Sequence, residues 1–416
     1  MKARRIAPWI QKHAVGKTGR ILVFTGARQT GKTTLTRQIF PDYHYLSIED
    51  PVSRAQYERL NAEQWKTLYP RAILDEVQKA PSLVESIQSV YDQWEEPRYI
   101  LLGSSQLLLL EKVRESLAGR CTIVELFPLT VPELRTDGWH DTVRDSVFQQ
   151  CLLHPDKLPD FLPSFVLDPD MARKQCVWDF YLRYGGYPAL TDAELDDEKR
   201  VQWLRDYVRT YLERDIRDLT TFRDLEPFVK LQIYLAQQTG LTINASTMAV
   251  QLGVSVKTVQ RYIRYFELSY QALILPAWSR NMNKRLTKAP KLHYLDNGVL
   301  QAVLQKHGGT TGAEFESVVV AELYKQIRTL CIDAKLYHVR THDGAEIDVL
   351  LELPFGYFAF EIKMSEKVRT IDAKHFKMLD DMLDKPFLHG FVLSNDRDTE
   401  QFADNITALN AAYFLG

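Results

Sequence analysis

The chain has little cysteine and spreads it thinly: Cys121, Cys151, Cys176 and Cys331 are four residues among 416, with no CxxC pair and no nearby His. That spacing argues against zinc and reads as reduced thiols of a cytoplasmic protein. An excess of charge of one sign is missing too. Lys plus Arg number 52 against 54 Asp plus Glu, so no global field draws the chain to nucleic acid or anionic lipid, and such binding has to come from local patches. Long apolar runs are also absent. The most apolar stretch, 100–110, contains Gly103, Ser104, Ser105 and Gln106 and is too short to span a bilayer. Near the start, Pro8, Gln11, Lys12 and His13 interrupt any run that would serve as a signal-peptide core. No membrane partner and a cytoplasmic location are expected. Internal repeats and low-complexity tracts are lacking.

A chain of 416 residues exceeds one hydrophobic core, so two to four domains are expected. The first third alternates short apolar runs with helical patterns, which implies an α/β fold with a parallel sheet flanked by helices. Strands are expected at 21–24, 43–48, 72–74, 99–102 and 122–126. Leu83, Ile87, Val90 and Tyr91 fall at helical spacing between them, as do Leu35 and Ile39. From 136 to 171 the texture changes: Pro155, Pro159, Pro163 and Pro169 break the pattern, and the stretch reads as a connector or insertion. Val201, Leu204, Val208, Tyr211, Leu212, Ile216 and Leu219 then keep an i, i+3, i+4 rhythm, a long helix assigned to a helical lid. The last hundred or so residues combine a helix at 314–327 with alternating strands at 347–353 and 357–362.

The sharpest motif is Gly26-Ala27-Arg28-Gln29-Thr30-Gly31-Lys32-Thr33, a GxxxxGK[ST] pattern placed after an apolar strand and at the start of a helix, where Thr34 continues it. Glycines let backbone N–H groups curl around phosphate oxygens, and the helix N-terminus adds partial positive charge on the same side. Lys32 would reach the β and γ phosphates of ATP, and Thr33 would place its hydroxyl on magnesium. Some forty residues on, an apolar strand ends in Asp75 and Glu76, suited to the magnesium shell and to polarising the attacking water respectively. Ser104, after the next expected strand, is either a hydroxyl beside the γ phosphate or a turn former. Arg120 either completes the transition-state charge, in cis or across a subunit boundary, or is a solvated arginine.

Farther on, 243–255 reads as a helix closed by a turn at Gly253, followed by a second helix, 256–268, capped by Ser255. Ala249, Leu252, Val254, Val259, Tyr262 and Ile263 would form its small core. Lys257, Arg261 and Arg264 then point outward, either as a DNA-contacting face or as the surface of a packing module. Near the C-terminus Asp348 sits on one alternating strand and Glu361-Ile362-Lys363 on another, so a hairpin brings Glu361 and Lys363 to Asp348, with Glu316 from the preceding helix completing a divalent-cation cluster. Two carboxylates on magnesium and a lysine suit phosphodiester hydrolysis, whereas charged residues on a half-exposed strand are the plainer alternative. Glu346 shares the face of Asp348 and is a further ligand or a surface acid.

Taken in order, the stretches 26–35, 73–78, 102–107, 117–120, 184–188, 211–219, the helix–turn–helix region, 290–298 and 314–363 resemble a prokaryotic family of AAA-type ATPases. That family carries a C-terminal domain of uncharacterised function with a restriction-endonuclease-like fold. The resemblance covers nearly the whole chain. It implies an AAA+ core at 1–135, a connector and helical lid at 136–225, a winged helix–turn–helix module at 226–305 and a PD-(D/E)xK-like domain at 306–416. Lys32, Thr33, Asp75 and Glu76 match the ATPase residues, and Glu316, Asp348, Glu361 and Lys363 the nuclease set. The proline-rich stretch 137–170 departs from the pattern by its length. Two functions follow as expectations: an ATP-hydrolysing enzyme that engages DNA and cuts it with magnesium, or a nucleotide-gated regulatory module with an inactive nuclease fold. Related AAA+ proteins form rings, so a homo-oligomer is compatible with either.

Overall fold

A computed structural model describes residues 1–103, 113, 116–162, 168–212, 226–281, 288–306, 309–341 and 343–416. Five parallel strands form the first sheet: β1 (Ile21–Thr25), β2 (His44–Ser47), β3 (Arg71–Asp75), β4 (Arg98–Leu102) and β5 (Thr122–Glu125). Their spatial order is β2-β3-β4-β1-β5. All five coincide with the expected strands. Side-chain alternation explains why both faces are covered: Ile21, Val23, Leu74 and Leu101 pack against Leu83, Ile87 and Val90. Leu22, Phe24, Ile73 and Leu102 face Ile6, Ile10 and Leu35 on the other side. The strands' C-terminal ends therefore share one edge, where ligands bind in open α/β sheets.

A second sheet closes the chain. It runs β12-β13-β11-β10-β9-β8, from β8 (Lys335–Arg340), β9 (Glu346–Leu353), β10 (Gly356–Ile362), β11 (Phe387–Ser394), β12 (Glu400–Ala403) and β13 (Ile406–Asn410). Between the two sheets lie helices Glu226–Gln237, Ala245–Leu252 and Val256–Leu268 and a two-stranded antiparallel ribbon, β6 (Ala272–Leu275) with β7 (Lys291–Tyr294). The expected turn is present: Gly253 has φ +65°, and Ser255 Oγ accepts from the Thr258 N–H at 3.1 Å. Such a cap contributes about 1 kcal/mol.

The segment expected to be connector and lid divides. Helices Val147–Leu153 and Met171–Tyr184 place Phe148, Cys151 and Trp178 in one core with Phe315, Phe360 and Phe391, on the second sheet's face and not over the first. A buried polar network fixes that docking, since Tyr181 donates to Glu322 Oε2 at 2.6 Å and the Val131 N–H to Glu322 Oε1 at 2.8 Å. The helix expected to run to 219 is α-helical over Asp197–Tyr207 and widens to a π turn over Val208–Leu212. Ile216 and Leu219 lie outside the described residues, as does Ser104. No helix among the described residues is long and apolar enough to cross a membrane.

Candidate functional site

The loop 26–33 leaves β1 at the ligand-binding edge. Gly26 has φ +142°, and a Cβ there would stand 2.1 Å from Leu126 O, so only glycine lets the loop pass the end of β5. Gly31 has φ +90° and caps the helix Lys32–Ile39, while Gln29 holds φ +58° between them. The turns curl the backbone around the helix N-terminus, as phosphate binding requires. Lys32 is buried, its Nζ donating to Gly26 O at 2.9 Å and Ala27 O at 2.8 Å. Thr30 Oγ1 donates to Ala27 O at 2.8 Å and tightens the same curl.

Opposite the loop, Thr33 Oγ1 donates to Asp75 Oδ2 at 2.8 Å. Hydroxyl and carboxylate thus stand side by side at the helix start, a donor set that would suit a magnesium ion accompanying a nucleotide. Tyr45 OH donates to the same Asp75 oxygen at 2.8 Å, and burial, with this bond to Asp75, pushes its phenol up to about 12. Glu76 follows with φ +59°, a left-handed conformation rarely held by a side-chain-bearing residue, and accepts from Gln78 Nε2. Strain of this kind, of order 1–3 kcal/mol, gathers where geometry serves function.

From outside the motif, buried Arg4 bonds Thr30 O at 2.6 Å and Phe127 O at 2.8 Å, and pairs with Glu133 at 2.8 Å. Pro188 Cγ stands 4.0 Å from where a Gly31 Cβ would be. The turn before it is clamped: Gly186 N–H donates to buried Asp296 Oδ2 at 2.8 Å.

At the second sheet the hairpin does bring Asp348 and Glu361 together. Asp348 Oδ2 accepts from the Ile362 N–H at 2.8 Å, and Lys363 Nζ donates to Glu361 Oε1 at 2.6 Å. Glu316 and Glu346 reach Lys291 Nζ at 2.9 and 2.6 Å, and the same ammonium lies 3.6 Å from Asp348 Oδ1. Lys291 thus stands among the acids expected to hold a metal, Glu316 and Asp348, while Glu361 takes Lys363. Among the described residues no group of three or more His, Cys, Asp and Glu side chains is arranged to hold a metal ion. The physical reason is that an ammonium already stands among the acids. Burial, with Asp348 nearby, raises Glu316 to about 8 and Glu361 to about 7.

Residues 18–135 match the family model described as AAA domain. The first sheet with its loop, Lys32, Thr33, Asp75 and Glu76 falls inside that match. Residues 177–309 and 311–414 match two families described as domains of unknown function, DUF8612 and DUF4143. Uncharacterized proteins of Mycobacterium tuberculosis and Mycobacterium bovis are each 27% identical over 357 residues, covering 82% of this chain and 70% of the relative. An uncharacterized protein of Methanocaldococcus jannaschii is 23% identical over 409 residues, 92% of this chain and 84% of its own. Among solved structures, a Walker-type ATPase of Pyrococcus abyssi covers 73% of this chain and 97% of its own at 13% identity. Its TM-score of 0.45 is too low to define a shared overall fold.

Within the matched stretch Arg120 is not where a transition-state charge is needed. It precedes β5 and pairs with Asp92 at 2.8 Å, at the edge where the strands begin. The loop lies at the edge where they end, about 13 Å away by the rise of a four-residue strand. The expectation of Arg120 acting within one chain is corrected accordingly. A different contact ties the domain to the others: Tyr270, at φ +60°, puts its hydroxyl 2.7 Å from Thr25 Oγ1 and 3.2 Å from Glu125 Oε1. Arg328, on the helix Gly312–Thr329, donates to Glu125 Oε2. Tyr270 and Arg328 thus reach the paired residues Thr25 and Glu125 at the ends of β1 and β5, next to Gly26.

On the second helix of the pair, Lys257, Arg261 and Arg264 are exposed on one face, with Arg264 paired to Glu267. Motif matching missed Tyr45, Arg4, Tyr270 and Lys291. Only Lys291 left a trace, as a cation in the alternating strand Lys291-Leu292-His293-Tyr294, where its side of the ribbon is buried.

The raised pair Glu316 and Glu361 gives a pH signature. Each acid binds its proton more tightly folded than unfolded, so the fold weakens as pH rises between the unfolded and folded values, about pH 5 to 8. Thermal melts across that window are expected to fall more steeply for the wild type than for Glu361→Gln; parallel profiles contradict this.

Proposed function

We propose that the protein hydrolyses ATP with magnesium and uses the nucleotide state to control how its helix–turn–helix module engages DNA. The observation that carries the reading is the convergence of Lys32, Thr33, Asp75 and Glu76 on one loop at the sheet edge. Backbone amides of 26–33 would hold the phosphates, Lys32 would move from the loop carbonyls onto the β and γ phosphates, and Thr33 and Asp75 would hold the magnesium ion, which draws charge from the phosphates. Glu76 would take the proton of the attacking water. A transition-state arginine from a second copy of the chain is part of this proposal.

Coupling is supported by the Thr25–Tyr270 contact, since any shift of β1's end on binding phosphate is felt at the residue that closes the second helix. The exposed Lys257, Arg261 and Arg264 face supplies phosphate-binding cations. The C-terminal unit, read as restriction-endonuclease-like, favours the regulatory alternative in the state described, because Lys291 lies where catalysis would need metal. DNA affinity measured across a salt series tests the interface. Replacing Arg261 and Arg264 with Ala is expected to lower the slope of log affinity against log salt by roughly 2 while leaving ATP turnover without DNA intact. An unchanged slope removes this face from DNA binding.

A further inference from the structure

Neither the nucleotide site nor the DNA-facing helix uses Lys291, yet three carboxylates surround it. Its side chain is 5% exposed, and its Nζ lies 2.9 Å from Glu316 Oε1, 2.6 Å from Glu346 Oε1 and 3.6 Å from Asp348 Oδ1. Those acids come from a helix and from β9, whereas the lysine comes from β7 of the helix–turn–helix ribbon. Burial works against its charge, and Glu316 and Asp348 outweigh burial and hold the ammonium above its ordinary value. One position next to the same cluster is left open, because Glu361, itself only 7% exposed, turns an unpartnered Oε2 inward while its Oε1 takes Lys363.

Carboxylates from separate elements aimed at one point form the surroundings a hard divalent cation selects. The point is taken by an ammonium, whose contacts are those of hydrogen bonds and longer than the ~2.1 Å of magnesium–oxygen bonds. A metal ion and the ammonium cannot share it, since two cations at that separation in a buried setting repel strongly. We infer that Lys291 is a tethered counter-cation: it occupies, from the ribbon, the position a divalent metal would take among Glu316, Glu346 and Asp348, and so keeps the C-terminal cluster closed to metal. Opening then means displacing β7. That strand is held to β6 at Leu275 and bridged to Thr242, so displacement is a movement of the ribbon and not a side-chain rotation. The inference concerns cation occupancy and stands apart from whether the C-terminal unit cuts DNA.

Lys291→Met tests it in the full chain, with manganese titrated by calorimetry in the absence of nucleotide and thermal melts taken in EDTA and in manganese. The variant is expected to bind manganese at least tenfold more tightly than wild type. Its melting temperature should fall in EDTA, where the acids repel unscreened, and recover in manganese. Adding Asp348→Asn should remove both the gained affinity and the recovery, which separates this cluster from Thr33 and Asp75. Lys291→Arg, which keeps the charge, should bind manganese as weakly as wild type. Should Lys291→Met be unfolded in EDTA, folding on manganese addition, read by circular dichroism, supports the inference, and remaining unfolded overturns it. Manganese affinity equal to or below that of wild type in a folded variant overturns it as well. DNA cleavage, scored separately, bears only on the nuclease alternative.

Discussion

Replacing Lys32 with Ala is expected to abolish ATP turnover, with a loss of about 100- to 1000-fold, the usual consequence of removing one preorganised charge from a phosphoryl-transfer site. The ammonium of Lys32 is already stationed beside Gly26 O and Ala27 O, at the helix start where the phosphates would lie. Its removal also strips those carbonyls of a donor. Lys32→Met, which keeps most of the aliphatic stem, is the matched control for that structural loss. Phosphate release measured at saturating ATP and magnesium, with circular dichroism to show an intact fold, gives the comparison. Turnover retained in both variants would remove the loop from catalysis.

Glu76→Gln should separate binding from chemistry. The substitution preserves shape and the contact with Gln78 Nε2, and leaves the left-handed backbone at 76 as it is. What it removes is a carboxylate able to accept a proton from water. General-base loss costs about 100- to 10,000-fold in turnover, whereas ATP affinity should stay within about threefold of wild type because no phosphate contact is lost. The variant should therefore accumulate bound, uncleaved ATP. Recovering mainly ADP from the purified complex would mean that another group activates the water.

What was legible in the sequence follows a physical division. Strand alternation in Ile21–Thr25 and Arg71–Asp75 reports which side chains face a core, and the glycine spacing of the loop reports a backbone path that other residues block. Both are local, and both are found in the structure. The pairing of Asp348 with Glu361 was legible for the same reason, since antiparallel neighbours at a hairpin share a face. Partner choice across long separations was not. The apolar faces of Val147–Leu153 and Met171–Tyr184 declare that these helices are buried, but not which sheet buries them. Lys291 meets Glu316 and Glu346 only because the ribbon and the second sheet lie together, and nothing in the local pattern of β7 names those acids. Arg4 likewise carries no local sign of a partner in the sequence; the fold returns Glu133 and Phe127 to it. Arg120 shows the converse, a plausible residue type at the wrong end of its strand.

The most direct test is a structure of the protein with magnesium and a non-hydrolysable ATP analogue. The triphosphate should lie in the loop 26–33, with Lys32 Nζ transferred from Gly26 O and Ala27 O to phosphate oxygens. The 2.8 Å bond between Thr33 Oγ1 and Asp75 Oδ2 should be opened by the metal. An analogue bound elsewhere, or a loop that keeps Lys32 on its own carbonyls at saturating ligand, would contradict the account.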